Sequence, residues 1–337
     1  MVQAEATTKV GKSSPLSAQV EVACGGDLEL IIGEEGVQVK LLVSSTILKL
    51  ASPVFAVLLG PNFKEGHDSA PTAGLPKSVC LPDDDPEAML WVCQILHYVR
   101  KEPMKADLAL LGKIATHCDK YDLAYALGPW AEYRLQVVEC HTMEESLSLL
   151  YCAIMLANNK AFHKSTKYLV LHVARLTPLA MLAIIQDYKL DGQLLASIEA
   201  KKEQSIRCFQ LRVESIISMI TAPIIPQKET RQHTMLLLRR ANFWPVSSLG
   251  SHASLHDLIN DARAIVGCAG SRECWCDSVE AEKTINVAAD KALVRADGLC
   301  LTCYKEGAMS RNQGNCLARD ARECLGIQTE GLDEHGM

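Results

Sequence analysis

Alternating hydrophobic and polar residues near the start of the chain predict a β-hairpin followed by two short helices. Residues 28–32 and 37–43 are rich in aliphatic and β-branched side chains, and the four residues that precede the second run begin and end with glycine. Ser44 or Ser45 then offers an N-cap for a first helix. Pro53 starts a second one, because proline has the backbone geometry of the first helical position.

The next segment predicts a loop, a third strand and a strong helix start. Residues 60–77 contain three glycines and three prolines, a composition typical of a loop. Val79 and Leu81 are spaced as in a short strand. Asp85 then supplies a capping carboxylate, and Pro86 occupies the first helical position. We therefore expect a helix to begin at Pro86.

From there the hydrophobic spacing is helical for most of the chain. Apolar residues recur every three or four positions, which predicts helices near residues 86–99, 108–118, 143–157, 160–174, 178–186 and 193–220. The last helix keeps its pattern for only about two heptads, which favours lengthwise packing on its own domain; a coiled-coil dimer is the alternative. Prolines at 223, 226 and 245 then predict a linker.

Length and composition narrow the class of protein. The chain has 337 residues, enough for more than one domain, with 48% hydrophobic and 22% charged residues as in an average soluble protein. Its net charge of −6 offers no electrostatic footprint for nucleic acid, and no apolar run reaches the ~20 residues that span a membrane. The polar residues 1–23 are predicted to be a flexible leader without a signal peptide. Together these features predict an intracellular protein, of the nucleus or cytoplasm, without a nucleic-acid or membrane partner.

The 14 cysteines are placed unevenly, with seven in the first 267 residues and seven in the last 70. The early ones stand mostly singly in apolar segments and are predicted to pack in the core. In the tail, Cys274 and Cys276 are two positions apart and Cys300 and Cys303 three, spacings that allow four thiolates to close a structural zinc site across a helix near residues 281–294. Scattered buried thiols and redox or disulfide chemistry are the alternatives. Alternative or additional ligands are Cys268, Cys316, Cys324, His252 and His256.

Several stretches resemble the signature of the BTB/POZ family. Gly26-Asp27-Leu28-Glu29-Leu30-Ile31-Ile32-Gly33 is similar to its aspartate-led strand, and Ser52-Pro53-Val54-Phe55 is similar to the end of its first helix. The runs at residues 60–66 and 81–88 are similar to BTB/POZ domains of the fungal type.

This resemblance implies an α+β fold in which a short sheet is capped by helices. It covers residues 24–130, and residues 131–221 resemble the all-α extension that often follows such a domain. After the linker at residues 222–250, we predict a small Cys-rich C-terminal module over residues 251–330, stabilised by zinc.

The resemblance also implies partner surfaces. Family members that recruit a cullin-based ubiquitin ligase often carry a hydrophobic-x-Glu triplet before the third strand, and Phe63-Lys64-Glu65 matches it. Phe63 would be an aromatic anchor and Glu65 a charged contact; the alternative is that Phe63 pins its own loop. Asp27 is a further candidate, either as an acceptor for backbone amides or as a solvated turn residue. Homodimerisation is the other common use of the family.

Two positions depart from the family pattern. Ser44 and Ser45 stand where repressor members have a His-Arg pair in the charged pocket that holds corepressors. This departure argues against a corepressor pocket.

Enzymatic motifs are missing from the sequence. Residues 11–13, Gly-Lys-Ser, lack the earlier glycine of a phosphate-binding loop. His141 with Glu144 and Glu145 is better explained as a charged helix start than as an acid–base group. We therefore predict a non-enzymatic protein-interaction module, an adaptor for a cullin-based ubiquitin ligase. The alternative is a nuclear scaffold or transcription-associated protein with a zinc-stabilised tail.

Overall fold

The chain divides into two compact units, with the boundary between Trp130 and Ala131. The computed structural model describes residues 19–36, 38–62, 76–99, 107–221, 254–267 and 278–306. The described residues form a mixed α+β structure that is mostly helical and contains one small sheet. Among them, no helix is both long and apolar enough to cross a membrane.

The sheet of the first unit has four strands in the order β1-β3-β2-β4. They are β1 (Gln19–Glu21), β2 (Leu28–Ile32), β3 (Val39–Val43) and β4 (Lys77–Leu81). Strands β2 and β3 pair antiparallel, which confirms the predicted hairpin, whereas β1 and β4 each add a parallel strand at one edge. Leu28, Leu30 and Ile32 alternate with partly exposed residues and are fully buried, so one face of β2 forms part of the core.

The first four helices of the chain begin where the local signals place them. They are α1 (Ser45–Ala51), α2 (Pro53–Leu58), α3 (Pro86–Leu96) and α4 (Leu108–Lys120), followed by α5 (Ala124–Gln136), which crosses the unit boundary in the sequence. The carboxylate of Asp85 accepts a hydrogen bond from the Ala88 amide at 2.9 Å, as its predicted capping role requires. Asp107 caps α4 in the same way, at 2.8 Å from the Leu110 amide.

The second unit consists of helices. They are α6 (Met143–Met155), α7 (Asn159–His172), α8 (Pro178–Tyr188), α9 (Gly192–Thr221), α10 (Leu255–Gly267), α11 (Ser278–Arg295) and α12 (Leu301–Lys305). Helices α6 and α7 pack as a pair, and the long α9 packs along α11 with Phe209 and Val213 buried. This arrangement confirms lengthwise packing of α9 within its own chain.

Three features of the structure differ from or add to the expectations. The leader predicted for residues 1–23 is too long, because residues 19–21 form β1 and the Val22 amide bonds to the Leu42 carbonyl at 2.9 Å. Helix α5 is not among the predicted helices, and it contains Pro129 in its interior, a position that proline usually disfavours. In the C-terminal region, the described helices α10, α11 and α12 pack on α7 and α9 in the same unit, and a separate Cys-rich module stays a prediction. The predicted linker lies outside the described residues.

Candidate functional site

The candidate site of the first unit is the outer face of the helical pair α1–α2. All six residues of α2 are apolar, yet Phe55 is its only fully buried side chain. Val57 is 57% exposed, Val54 39% and Leu50, at the end of α1, 83%. Exposed aliphatic side chains on two consecutive short helices are typical of a protein-interaction surface. We call Leu50, Val54 and Val57 the α2 face.

The inner side of this helical pair is anchored by Ser52 and Phe55. The Ser52 hydroxyl accepts a hydrogen bond from the Phe55 amide at 3.0 Å, which caps α2, and donates one to the Tyr121 carbonyl at 2.5 Å. The Phe55 ring stacks on the Tyr121 ring with 4.4 Å between centroids and 6° between planes. One serine therefore joins the start of α2 to the residue that follows α4.

Tyr121 is in turn held by the buried carboxylate of Asp84. The tyrosine hydroxyl donates to Asp84 Oδ2, and Lys120 Nζ donates to Oδ1 at 2.6 Å. Burial, together with this hydrogen bond to a carboxylate, raises the pKa of Tyr121 far above its ordinary value, so the phenol stays protonated as a donor. His117 Nε2 lies 3.6 Å from Asp84 Oδ1, while its Nδ1 bonds to the Lys113 carbonyl at 2.8 Å.

Asp27, a predicted partner-binding residue, caps α1. Its Oδ1 accepts the Ser45 amide at 2.7 Å, and its Oδ2 accepts the Ser45 hydroxyl at 2.6 Å. Partial burial alone would raise the pKa of Asp27, but the two bonds from Ser45 outweigh it and lower the pKa. Asp27 is thus an acceptor for a backbone amide, the first of its two alternatives. Its role toward a partner stays a prediction.

Ser44 has a different partner, the His97 ring at the end of α3. The Ser44 amide donates to His97 Nε2 at 3.0 Å, while His97 Nδ1 bonds to the Cys93 carbonyl at 2.8 Å. One nitrogen must accept and the other donate, so this imidazole is neutral. Burial lowers its pKa, which favours the same form. The backbone amides of Ser44 and Ser45 therefore fix the start of α1.

The hydrophobic-x-Glu triplet at residues 63–65 lies outside the described residues, so the role of Phe63 and Glu65 stays a prediction. In the sequence the triplet begins four positions after the C-cap of α2, Leu59. The α2 face and the triplet are therefore neighbours along the chain.

The predicted zinc ligands are described only in part. Cys300 is the N-cap of α12 and Cys303 lies in its first turn, and both are buried. Cys274 and Cys276 lie outside the described residues, and no group of three or more metal-ligating side chains occurs among the residues that are described. A four-cysteine zinc site thus stays a prediction. Of the early cysteines, Cys93, Cys118 and Cys152 are buried as expected, but Cys24 and Cys80 are exposed.

The charged residues near His141 form a helix start, as predicted. Glu145 Oε2 accepts the His141 amide at 2.7 Å and the Thr142 amide at 3.2 Å. The Thr142 hydroxyl in return accepts the Glu145 amide at 3.1 Å, which completes a capping box. The Glu145 carboxylate therefore serves as a hydrogen-bond acceptor for backbone amides.

No protein-family model matches the chain, and no curated protein matches it. A family assignment therefore depends on the residues and elements described above.

The neutral state of His97 predicts a loss of stability in mild acid. Because its folded-state pKa is lowered, the unfolded chain takes up the proton first as pH falls through about 6.5, so the free energy of unfolding should decrease from there toward pH 5. In urea titrations at each pH, His97→Gln should show a smaller acid-induced loss of unfolding free energy than the unaltered chain. His141→Gln, which replaces an exposed ring, should show the same loss as the unaltered chain. An identical pH profile in His97→Gln and the unaltered chain would contradict the assignment.

The four-cysteine hypothesis predicts about one zinc ion per chain in protein purified under reducing conditions. Cys276→Ser and Cys300→Ser should each lower the zinc content measured by plasma mass spectrometry, because each removes a thiolate ligand. Cys80→Ser, at an exposed position on β4, is the matched control and should leave the content unchanged. Absence of zinc from the unaltered protein would disprove the site.

Proposed function

We propose that the first unit is a non-enzymatic protein-interaction domain of the BTB/POZ type, and that the chain is an adaptor for a cullin-based ubiquitin ligase. The observation that carries the proposal is the α2 face, where an entirely apolar helix exposes most of its side chains. The order of elements also supports it, since a hairpin, a helical pair joined at Ser52-Pro53, a strand and further helices follow one another as in that family.

The α2 face is too small to be a whole interface. Stable complexes bury about 800 Å² on each partner, more than a six-residue helix supplies. Phe63, which follows α2 closely in the sequence, would add an aromatic anchor, and Glu65 would add a charge-assisted hydrogen bond at the rim. The proposed cullin surface therefore consists of the α2 face and the triplet at residues 63–65.

Charge substitution on this surface tests the proposal. Val57→Glu and the double variant Phe63→Ala, Glu65→Ala should each weaken binding to a purified cullin at least about tenfold in biolayer interferometry, which corresponds to about 1.4 kcal/mol. Val57 is already exposed, so the glutamate should not unfold the domain. Val294→Glu is the matched control, because Val294 is 62% exposed on α11 in the second unit.

The same preparations should be examined by light scattering for self-association. Cullin binding that is lost in both surface variants and kept in Val294→Glu supports the adaptor. No cullin binding by the unaltered chain overturns the adaptor. If that chain instead forms a dimer that Val57→Glu separates, the partner of the α2 face is a second copy of this protein.

A further inference from the structure

The segment that includes the connection between α11 and α12 and most of α12 lies against α7, more than 130 residues earlier in the sequence. It reads Asp-Gly-Leu-Cys-Leu-Thr-Cys-Tyr from Asp297 to Tyr304. Gly298 approaches the α7 backbone so closely that a Cβ at this position would lie 2.1 Å from the His163 carbonyl oxygen. Only glycine fits there without displacing the segment.

A buried backbone hydrogen bond follows immediately. The Leu299 amide donates to Thr166 Oγ1 at 2.8 Å, and the Thr166 hydroxyl donates to the Phe162 carbonyl at 2.8 Å. Leu299 and Thr166 are both buried, so separating them would leave an amide and a hydroxyl without partners in an apolar environment.

Asp297 adds a charged contact at the edge of the same segment. Its Oδ1 lies 3.0 Å from both His163 Nε2 and Lys167 Nζ, two side chains of α7. The ammonium group of Lys201, on α9, also interacts electrostatically with this carboxylate. Burial alone would raise the pKa of Asp297, but the bonds and charges of His163 and Lys167 hold it far below its ordinary value. The carboxylate therefore stays ionised.

The apolar half of the segment completes the contact. Leu299, Cys300, Leu301 and Cys303 are all buried, and the Tyr304 ring stacks on Phe162 of α7 with 5.8 Å between centroids. Asp297, Gly298, Leu299 and Tyr304 thus each contact α7, through charge, close backbone approach, a buried hydrogen bond and ring stacking respectively.

We infer that residues 297–304 form an intramolecular strap, which fastens the C-terminal helices to a receptor on α7 made of Phe162, His163, Thr166 and Lys167. Release of the strap would uncover Phe162 and the thiols of Cys300 and Cys303 while the rest of the unit stays folded. The strap explains why these cysteines are buried without requiring a metal ion. It does not depend on the proposed cullin function.

The buried thiols allow the strap to be tested in the full-length chain. Alkylation of each cysteine by iodoacetamide can be followed by mass spectrometry under native conditions. Asp297→Asn and Gly298→Ala should each raise the labelling rates of Cys300 and Cys303 at least tenfold. The rate at Cys152, which is fully buried on α6 of the same unit, should not change, since it reports unfolding of the whole unit. Asp290→Asn is the matched control, because Asp290 pairs with Arg263 on the exposed surface at 3.1 Å.

Three results would overturn the strap. The first is unchanged labelling of Cys300 and Cys303 in both variants. The second is labelling of Cys152 that rises in step with them, because the segment would then not open separately. The third is slow labelling of Cys300 and Cys303 that a zinc chelator accelerates and that Asp297→Asn leaves unchanged. A metal ion would then account for the protection of these two thiols.

Discussion

The buried carboxylate of Asp84 is bonded to Lys120 and Tyr121, and this contact connects the turn before α3 to the end of α4. A carboxylate removed from water is costly unless hydrogen bonds replace its hydration. Here a lysine ammonium and a tyrosine hydroxyl do so, and the position of Tyr121 is fixed as a result. Because Tyr121 also stacks on Phe55 and accepts a bond from Ser52, the helical pair α1–α2 is held from its inner side.

That constraint explains how an apolar helix remains exposed. With Phe55 anchored in the core, the opposite side of α2 must face outward, and Val54 and Val57 lie on it. Asp27 and His97 hold the start of α1 through the neighbouring amides of Ser45 and Ser44. The proposed interaction surface therefore rests on polar contacts beneath and beside it. Polar contacts also position a segment in the second unit. There the ionised Asp297 carboxylate and the Thr166 hydroxyl hold the strap on α7.

Sequence patterns located those features whose causes are local. The hairpin and the helix start at Pro86 follow from alternation and from a cap, Asp85, that bonds to an amide three positions later. Nothing local distinguishes Asp84 from Asp83, because the partners of Asp84 lie 36 and 37 positions further on. The strap was missed for the same reason, since Asp297 and His163 are 134 positions apart.

Two other omissions had a visible signal. Val20 and Val22 alternate with Gln19 and Glu21, as in an edge strand, within the residues assigned to the leader. Leu123, Leu127, Ala131 and Leu135 recur every four positions and are all fully buried, which is a helical pattern despite Pro129. In the folded chain, burial of these four side chains accompanies a helix that continues through Pro129.

The most direct measurement of the central claim is amide hydrogen exchange in residues 45–58, compared between the unaltered chain, Tyr121→Phe and Tyr125→Phe. Removal of the Tyr121 hydroxyl leaves the buried Asp84 carboxylate short of one donor, at a cost of about 1–3 kcal/mol. We expect protection in α1 and α2 to fall about tenfold in Tyr121→Phe. It should be unchanged in Tyr125→Phe, whose side chain is 98% exposed. Equal protection in all three proteins would contradict the claim that Asp84, through Tyr121, holds the helical pair in place.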